Sequence, residues 1–220
     1  MLFRALVSPL PRPVRILDVG GEQEFWERVD FANEPGVEIV LLNVKTVRAR
    51  GSNFSCVVGD ARNMAAFRDG EFDVVFSNSV IEHLGEYAQQ RLMANEVRRV
   101  GRRYFLQTPN RYFPIEPHFL FPFFQFLPWR LRVWILSQFG IGWHNREPDR
   151  REAERIVKGI RLLAERELQA LFPGAQVWRE KFLGLTKSFI VFSGWEEPAS
   201  KDGGGQASQN LRTRQVGRLA

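Results

Sequence analysis

The stretch VRILDVGG, residues 14–21, is a short apolar run closed by two glycines, the pattern of a buried strand ending in a tight turn. Reading outward from it, EQEFWERVDF (22–31) puts Phe25, Trp26 and Val29 at helical spacing, with acids in the first turn. That is where the helix dipole favours negative charge. Pro35-Gly36 ends this unit, and VEIVLL (37–42) reads as a second strand. FSCVV (54–58), stopped by Gly59-Asp60, is a third, with Cys56 expected in the core; FDVVFS (72–77), after the turn Asp69-Gly70, is a fourth. Residues 86–100 read as a helix with Leu92, Met93, Val97 and Val100 facing inward, and 103–108 as a fifth strand closed by Thr108-Pro109-Asn110. Near-continuous apolar strands separated by helices or short crossovers specify an α/β chain whose parallel sheet is covered on both faces.

The second half changes character. Residues 112–143 hold eleven aromatics, with prolines at 114, 117, 122 and 128. Prolines that frequent exclude one long helix, so residues 110–150 are expected to form an irregular, aromatic-rich insertion. Arg151 to Leu171 reads as one helix with Ile156, Ile160, Leu163 and Leu168 on one side, broken by Pro173-Gly174. Residues 175–182 and 186–192 are two strands around Gly184, an antiparallel hairpin at the end of the sheet. Residues 1–195 are thus expected to fold as the domain. Residues 196–220, small and polar with three consecutive glycines at 203–205, are expected to be a mobile tail.

Composition narrows the chemistry. The chain has 220 residues, 44% of them apolar, enough for a real core. Its one cysteine excludes an internal disulfide framework and a cysteine-based zinc site. His83, His118 and His144 are far apart in sequence, which predicts no dedicated metal site. A net charge of +6 points to nucleic acid or an anionic membrane surface as partners, although 25 acidic residues are interspersed among the 31 basic ones. No apolar run reaches the roughly 18 residues of a spanning helix. A soluble, cytoplasmic protein is the default expectation.

In an open parallel sheet, ligands bind beyond the carboxyl ends of the strands, where the strand order reverses. The residues there are Asp18 to Glu22, Asn43, Asp60-Ala61, Ser77 to His83, and Pro109-Asn110. An amide after the second strand suits ribose hydroxyls, and an Asp after the third suits an exocyclic amine. ILDVGG (16–21), LLNV (41–44), VVGDARNM (57–64) and DGEFDVVFSNSVIEHL (69–84) resemble the class I S-adenosylmethionine-dependent methyltransferases, in particular the type 11 group. The resemblance runs over roughly residues 14 to 193, closing with RELQALFPGA and GLTKSFIVF. It implies a Rossmann-like, seven-stranded, mostly parallel sheet with an antiparallel last strand. It further implies S-adenosylmethionine as cofactor, held by Asp18, Gly20, Gly21, Asn43, Asp60, Ala61 and Ser77.

His83 and His118 are the candidates for a base or for positioning the acceptor. The chain departs from the family's glycine-rich turn in having Glu22, Gln23 and Glu24 after Gly20-Gly21, and it has Asn43 where an acid is usual. The expected acceptor is a small or lipid-like molecule. The aromatic insertion is expected to cover the cofactor cleft, with Phe119 and Phe123 in the acceptor pocket; peripheral membrane contact and a homodimer contact are its other uses. Two further readings stand beside this one. A cofactor-binding but catalytically silent partner module fits the altered turn. A nucleic-acid methyltransferase fits the charge, against which Ser77-Asn78-Ser79-Val80 follows the fourth strand in place of an Asn-Pro-Pro-Tyr tetrad.

Overall fold

In the computed structural model, which describes residues 2–195, nine strands form: β1 (Val14–Val19), β2 (Val37–Asn43), β3 (Phe54–Val58), β4 (Val74–Asn78), β5 (Tyr104–Pro109), β6 (Ile115–Glu116), β7 (Phe121–Pro122), β8 (Gln176–Phe182) and β9 (Leu185–Ser193). The expected tail at 196–220 lies outside the described residues. Seven strands make one sheet in the order β3-β2-β1-β4-β5-β9-β8, and β6 pairs with β7 apart from it. β1 to β5 run parallel, while β9 is antiparallel to both β5 and β8. The chain steps outward from β1 to β3, then returns to lay β4 on the other side of β1, so the strand order reverses between β1 and β4. The hairpin β8–β9 turns at Leu183-Gly184, where φ is 48° and 81°. Two left-handed residues in a two-residue loop match the twist of the strands they join.

Six α-helices form among the described residues: α1 (Leu2–Val7), α2 (Gln23–Arg28), α3 (Tyr87–Val100) and α6 (Glu165–Leu171) beside the sheet, and α4 (Trp129–Gln138) and α5 (Arg150–Gly159) packed on each other. On one face Phe3 of α1 meets Trp26, Phe31, Phe76 and Phe105 with ring centroids 4.8–5.8 Å apart. On the other, Met93, Ala94, Val97 and Val100 of α3 join Leu168 and Leu171 of α6 over Leu17, Val75 and Leu106. With both faces covered, β1 and β4 are buried nearly end to end. This is why their sequences read as unbroken apolar runs.

Three expectations from periodicity are corrected. Leu92 is exposed, and the inward face of α3 is Gln90, Met93, Ala94, Val97 and Val100; at about 100° per residue, position 92 points well away from 93, 97 and 100. The helix expected over 22–31 is only Gln23–Arg28, because the Trp26 carbonyl accepts from both Phe31 and Ala32 and turns the chain. The single helix expected from 151 to 171 is two. Between α5 and α6 the backbone is pinned to the carboxyl end of the sheet: Arg161 N–H donates to the Glu82 carbonyl at 2.8 Å and Arg111 N–H to the Leu163 carbonyl at 3.1 Å. α6 restarts where the Glu167 carboxylate accepts from the Ala164 N–H at 2.9 Å.

The aromatic insertion folds around a core of its own. Phe119, Phe124, Val133, Ile135 and Leu136 pack with Ala153 and Val157 of α5. Gly142, at φ 58°, passes so close to this core that a Cβ there would lie 2.3 Å from the Phe119 carbonyl carbon. Phe119 is 2% exposed, with its ring 4.3 Å from that of Phe124, so it belongs to the core of the insertion.

Candidate active site

Beyond the carboxyl ends of β1 to β4, where the strand order reverses, lies a cleft of about 330 Å³, within the usual range for small-molecule sites. Gly20, Asn43, Asp60 and Ala61 line it, as the sequence implied, together with Leu42, Val44, Gly59, Arg62, Ser79, Val80, His83 and Leu84. The turn after β1 explains its two glycines separately. Gly20 has φ 78° and a Cβ there would meet Val80 at 2.7 Å, whereas a Cβ on Gly21 would lie 1.8 Å from Asp18 Oδ2. One glycine supplies a left-handed bend and the other a close approach.

Asp18, Gly21 and Ser77, expected at the cofactor, are not in the lining. Asp18 is 1% exposed beneath the turn, accepting from Trp26 Nε1 at 2.7 Å. Its Oδ1 is buried with no hydrogen-bond partner among the described residues, and burial pushes its carboxyl up to about 7. Ser77 is equally buried and donates to the Val19 carbonyl at 3.3 Å. These residues support the turn from below. Asn43 does both jobs, lining the cleft and donating from Nδ2 to the Gly21 carbonyl at 2.7 Å. Both carboxylate oxygens of Asp60 accept from Arg62, which holds the carboxyl below its ordinary range. Arg62 was not anticipated; its signal was the basic residue two places after Gly59-Asp60.

At the end of the cleft, folding undoes the sequence separation of the histidines. A 3-10 turn, Ile81–Leu84, follows β4 and carries Glu82 and His83, while β6 and the residues after it bring in Glu116 and His118. His83 Nε2 lies 3.2 Å from His118 Nε2, and the rings meet edge to face at 4.7 Å. Glu116 fixes His118 from behind: Oε1 accepts from Nδ1 at 2.7 Å, and Oε2 accepts from the backbone N–H groups of His118 and Phe119. Glu82, 0% exposed, accepts from Thr108 Oγ1 at 3.0 Å through Oε2. Its Oε1 is 4.0 Å from His118 Nε2 and has no hydrogen-bond partner among the described residues.

The electrostatics follow from this packing. Burial raises Glu82 to about 7. Desolvation, then the neighbouring His118 charge, lowers His83 to about 4. For His118, burial pulls downward, but the hydrogen bond and charge of Glu116 outweigh it and the net shift is upward. The sequence placed Glu82 among Ser77 to His83 at the carboxyl end of the sheet, where it reads equally as a solvated charge; Glu116 was missed because it looks like an ordinary surface acid until its burial is known.

The insertion meets the edge of the cleft where His118 touches His83. None of residues 112–143 is in the lining of the cleft, which corrects the expectation that they cover it. Their lining lies next door: Glu116, Phe119, Phe124, Gln125 and Arg132 join Arg111, Ile160, Arg161 and Leu162 around a cavity of about 150 Å³. Outward, the insertion leaves Phe123, Phe126, Trp134, Phe139 and Trp143 exposed, the last at 78%. Phe123, expected in the acceptor pocket, is on this outer surface.

Residues 17–103 match the family described as methyltransferase domain. Among solved structures, a SAM-dependent methyltransferase from Aquifex aeolicus is 12% identical, with 87% of this chain and 86% of that chain covered and a TM-score of 0.50. A complex of the Haloferax volcanii Trm112 methyltransferase activator with a candidate methyltransferase is 12% identical over 87% of each chain, with a TM-score of 0.51. A Bordetella parapertussis protein described as a candidate exported protein gives 0.55 at 12% identity, covering 86% of this chain and 64% of that one. No curated protein is significantly similar in sequence. At such identities the structural likeness speaks to the fold.

Proposed function

We propose that the chain, whose residues 17–103 match the methyltransferase-domain family on this seven-stranded sheet, is an S-adenosylmethionine-dependent methyltransferase and that its acceptor is a lipid-like molecule bearing an anionic group, met at a membrane surface. The observation that carries this reading is the outer surface of the insertion. Tyr112, Leu120, Phe123, Phe126, Trp129, Trp134, Phe139 and Trp143 are all exposed there. Phe113 touches Phe182, which extends the apolar surface to the tip of the β8–β9 hairpin, where Leu183 is 88% exposed. Apolar patches of this extent mark interaction sites, and aromatic rings with nearby cations suit the membrane interface. Residues 110–143 contribute Arg111, Arg130 and Arg132, while their one acid, Glu116, is buried.

The residues fit the cofactor: the cleft has the polar groups of Asn43 and Asp60 at one side and Leu42, Val44, Val80 and Leu84 at the other. When bound, S-adenosylmethionine supplies a methyl group on a sulfonium centre, and displacement leaves a neutral sulfur. The protein's work is therefore alignment and exclusion of water. Asn43 suits ribose hydroxyls and Asp60 an adenine amine, while the apolar wall keeps the cleft dry. His83, at the junction of cleft and insertion, positions the acceptor with His118 behind it. Arg111, Arg132 and Arg161 around the adjoining cavity suit an anionic headgroup, and Arg132 Nε is buried there without a partner among the described residues.

The test is co-sedimentation with vesicles of phosphatidylcholine, alone or mixed with an anionic phospholipid, beside calorimetry with S-adenosylhomocysteine. Salt-sensitive binding to the anionic vesicles is expected, lost in Trp134→Ala/Trp143→Ala with the calorimetric heat unchanged. Cofactor binding without association to any vesicle at low salt would assign a soluble acceptor instead. Absence of heat with the cofactor product would overturn the cofactor-site reading.

No helix among the described residues is long and apolar enough to cross a membrane.

A further inference from the structure

Methyl transfer gives no reason for a buried carboxylate oxygen to be left unpaired beside two imidazoles, yet that is what the end of the cleft contains. Glu82, His83 and His118 each offer one ligand atom, and these atoms all lie within 4.8 Å of one another; Glu82 Oε1 is the buried oxygen without a partner among the described residues. We propose that Glu82, His83 and His118 form a binding site for a divalent transition-metal ion of the zinc type, with an open coordination position on the cleft side of His83.

Geometry carries the assignment. Two nitrogens each about 2.0–2.1 Å from a tetrahedral zinc ion stand roughly 3.3 Å apart; the two Nε2 atoms are 3.2 Å apart. Glu82 Oε1, 4.0 Å from His118 Nε2, needs to close by about 0.7 Å to reach the same separation. Oε1 is the oxygen that Thr108 leaves unbonded. Two imidazoles and one carboxylate are a donor set for zinc and its borderline neighbours, leaving a position for water or an oxygen ligand.

The surroundings match as well. His118 donates from Nδ1 to Glu116, which orients the ring so that Nε2 faces the site; a carboxylate behind a ligating histidine is the usual supporting arrangement. Two buried carboxylates, Glu82 and Glu116, would balance a doubly positive ion. His83 lines both the cofactor cleft and the groove bounded by Tyr87, Arg132 and Lys158, so the site is open to solvent on that side. His144 stacks on Phe119 at 4.9 Å and lies outside the ligand set.

The full-length chain, stripped with a chelator, is titrated with Co²⁺ while its visible absorption is followed, and Zn²⁺ is then added in competition. One equivalent of Co²⁺ is expected to bind with the bands of a four- or five-coordinate ion and to be displaced by Zn²⁺. His118→Ala and His83→Ala should each lower the affinity at least tenfold; His83 is an exposed residue, so that variant tests the site even where Glu82→Gln fails to fold. Glu116→Gln should weaken binding by about 10–100-fold, and His144→Ala should leave the stoichiometry at one. Substoichiometric binding, or one equivalent that persists in both His83→Ala and His118→Ala, would overturn the proposal. The titration reads the metal directly, so its result stands apart from cofactor or vesicle binding measured on the same preparation.

Discussion

Asp18 is a carboxyl group placed where its charge is costly. It lies under the glycine turn, held by Trp26 Nε1, and burial raises it to about 7. Its folded pKa is therefore above the value near 4 of an unfolded chain. The folded state keeps a proton that the unfolded state releases, so the stability this group contributes is full below about pH 4 and is lost as the pH rises to about 7. Asp18→Asn removes the titration while keeping an oxygen to accept from Trp26. Denaturant unfolding of both proteins from pH 4 to 8 should show the parent losing stability relative to the variant by up to about 1.4 kcal/mol per pH unit across that window, then levelling off. A parent that gains stability instead would mean that the fold favours the charged carboxylate. The sequence placed Asp18 at the right turn; its burial under that turn depends on Trp26 arriving from α2, which no local pattern records.

The insertion behaves as an element with a core and a separate outer surface. Phe124 is fully buried against Phe119 and Phe121, whereas Trp134 is 54% exposed. Phe124→Ala should destabilise by about 3–5 kcal/mol, the scale for emptying a buried aromatic site. Trp134→Ala should stay within roughly 0.5 kcal/mol. Thermal unfolding of the two variants checks this, and similar losses would mean that Trp134 is packed in solution. Proline spacing argued against one long helix here, and the segment carries β6, β7 and the ten-residue α4. The division of its aromatics into core and surface was not legible, because neither a 2.0 nor a 3.6 period survives in a segment of turns. The break between α5 and α6 was hidden for a different reason: apolar spacing continues through 160–163, and the helix is interrupted by hydrogen bonds to Glu82 and Arg111 from distant parts of the chain.

For the whole molecule, cofactor binding and folding are linked. A ligand that binds only the folded state at a hundred times its Kd stabilises by about 2.7 kcal/mol, which for a chain of this size is roughly 5–10 °C in Tm. S-adenosylhomocysteine should give that shift in the parent. Asp60→Ala, at a partly exposed loop residue, should fold with a similar unliganded Tm but lose about 1–3 kcal/mol of binding and most of the shift. An undiminished shift would remove Asp60 from the adenine site. The five parallel strands and the loop residues Gly20, Asn43, Asp60 and Ala61 follow from the sequence itself, whereas the reversal of strand order between β1 and β4 does not. Their determinants are local: continuous apolar runs, glycine turns and the polar residues immediately after each strand. Only the tertiary structure decided that Glu82, His83, Glu116 and His118 share one cluster. His83 and His118 are 35 residues apart and meet at 3.2 Å because the insertion comes back to the turn after β4, held by packing of its own core against α5 and not by any pattern within either segment.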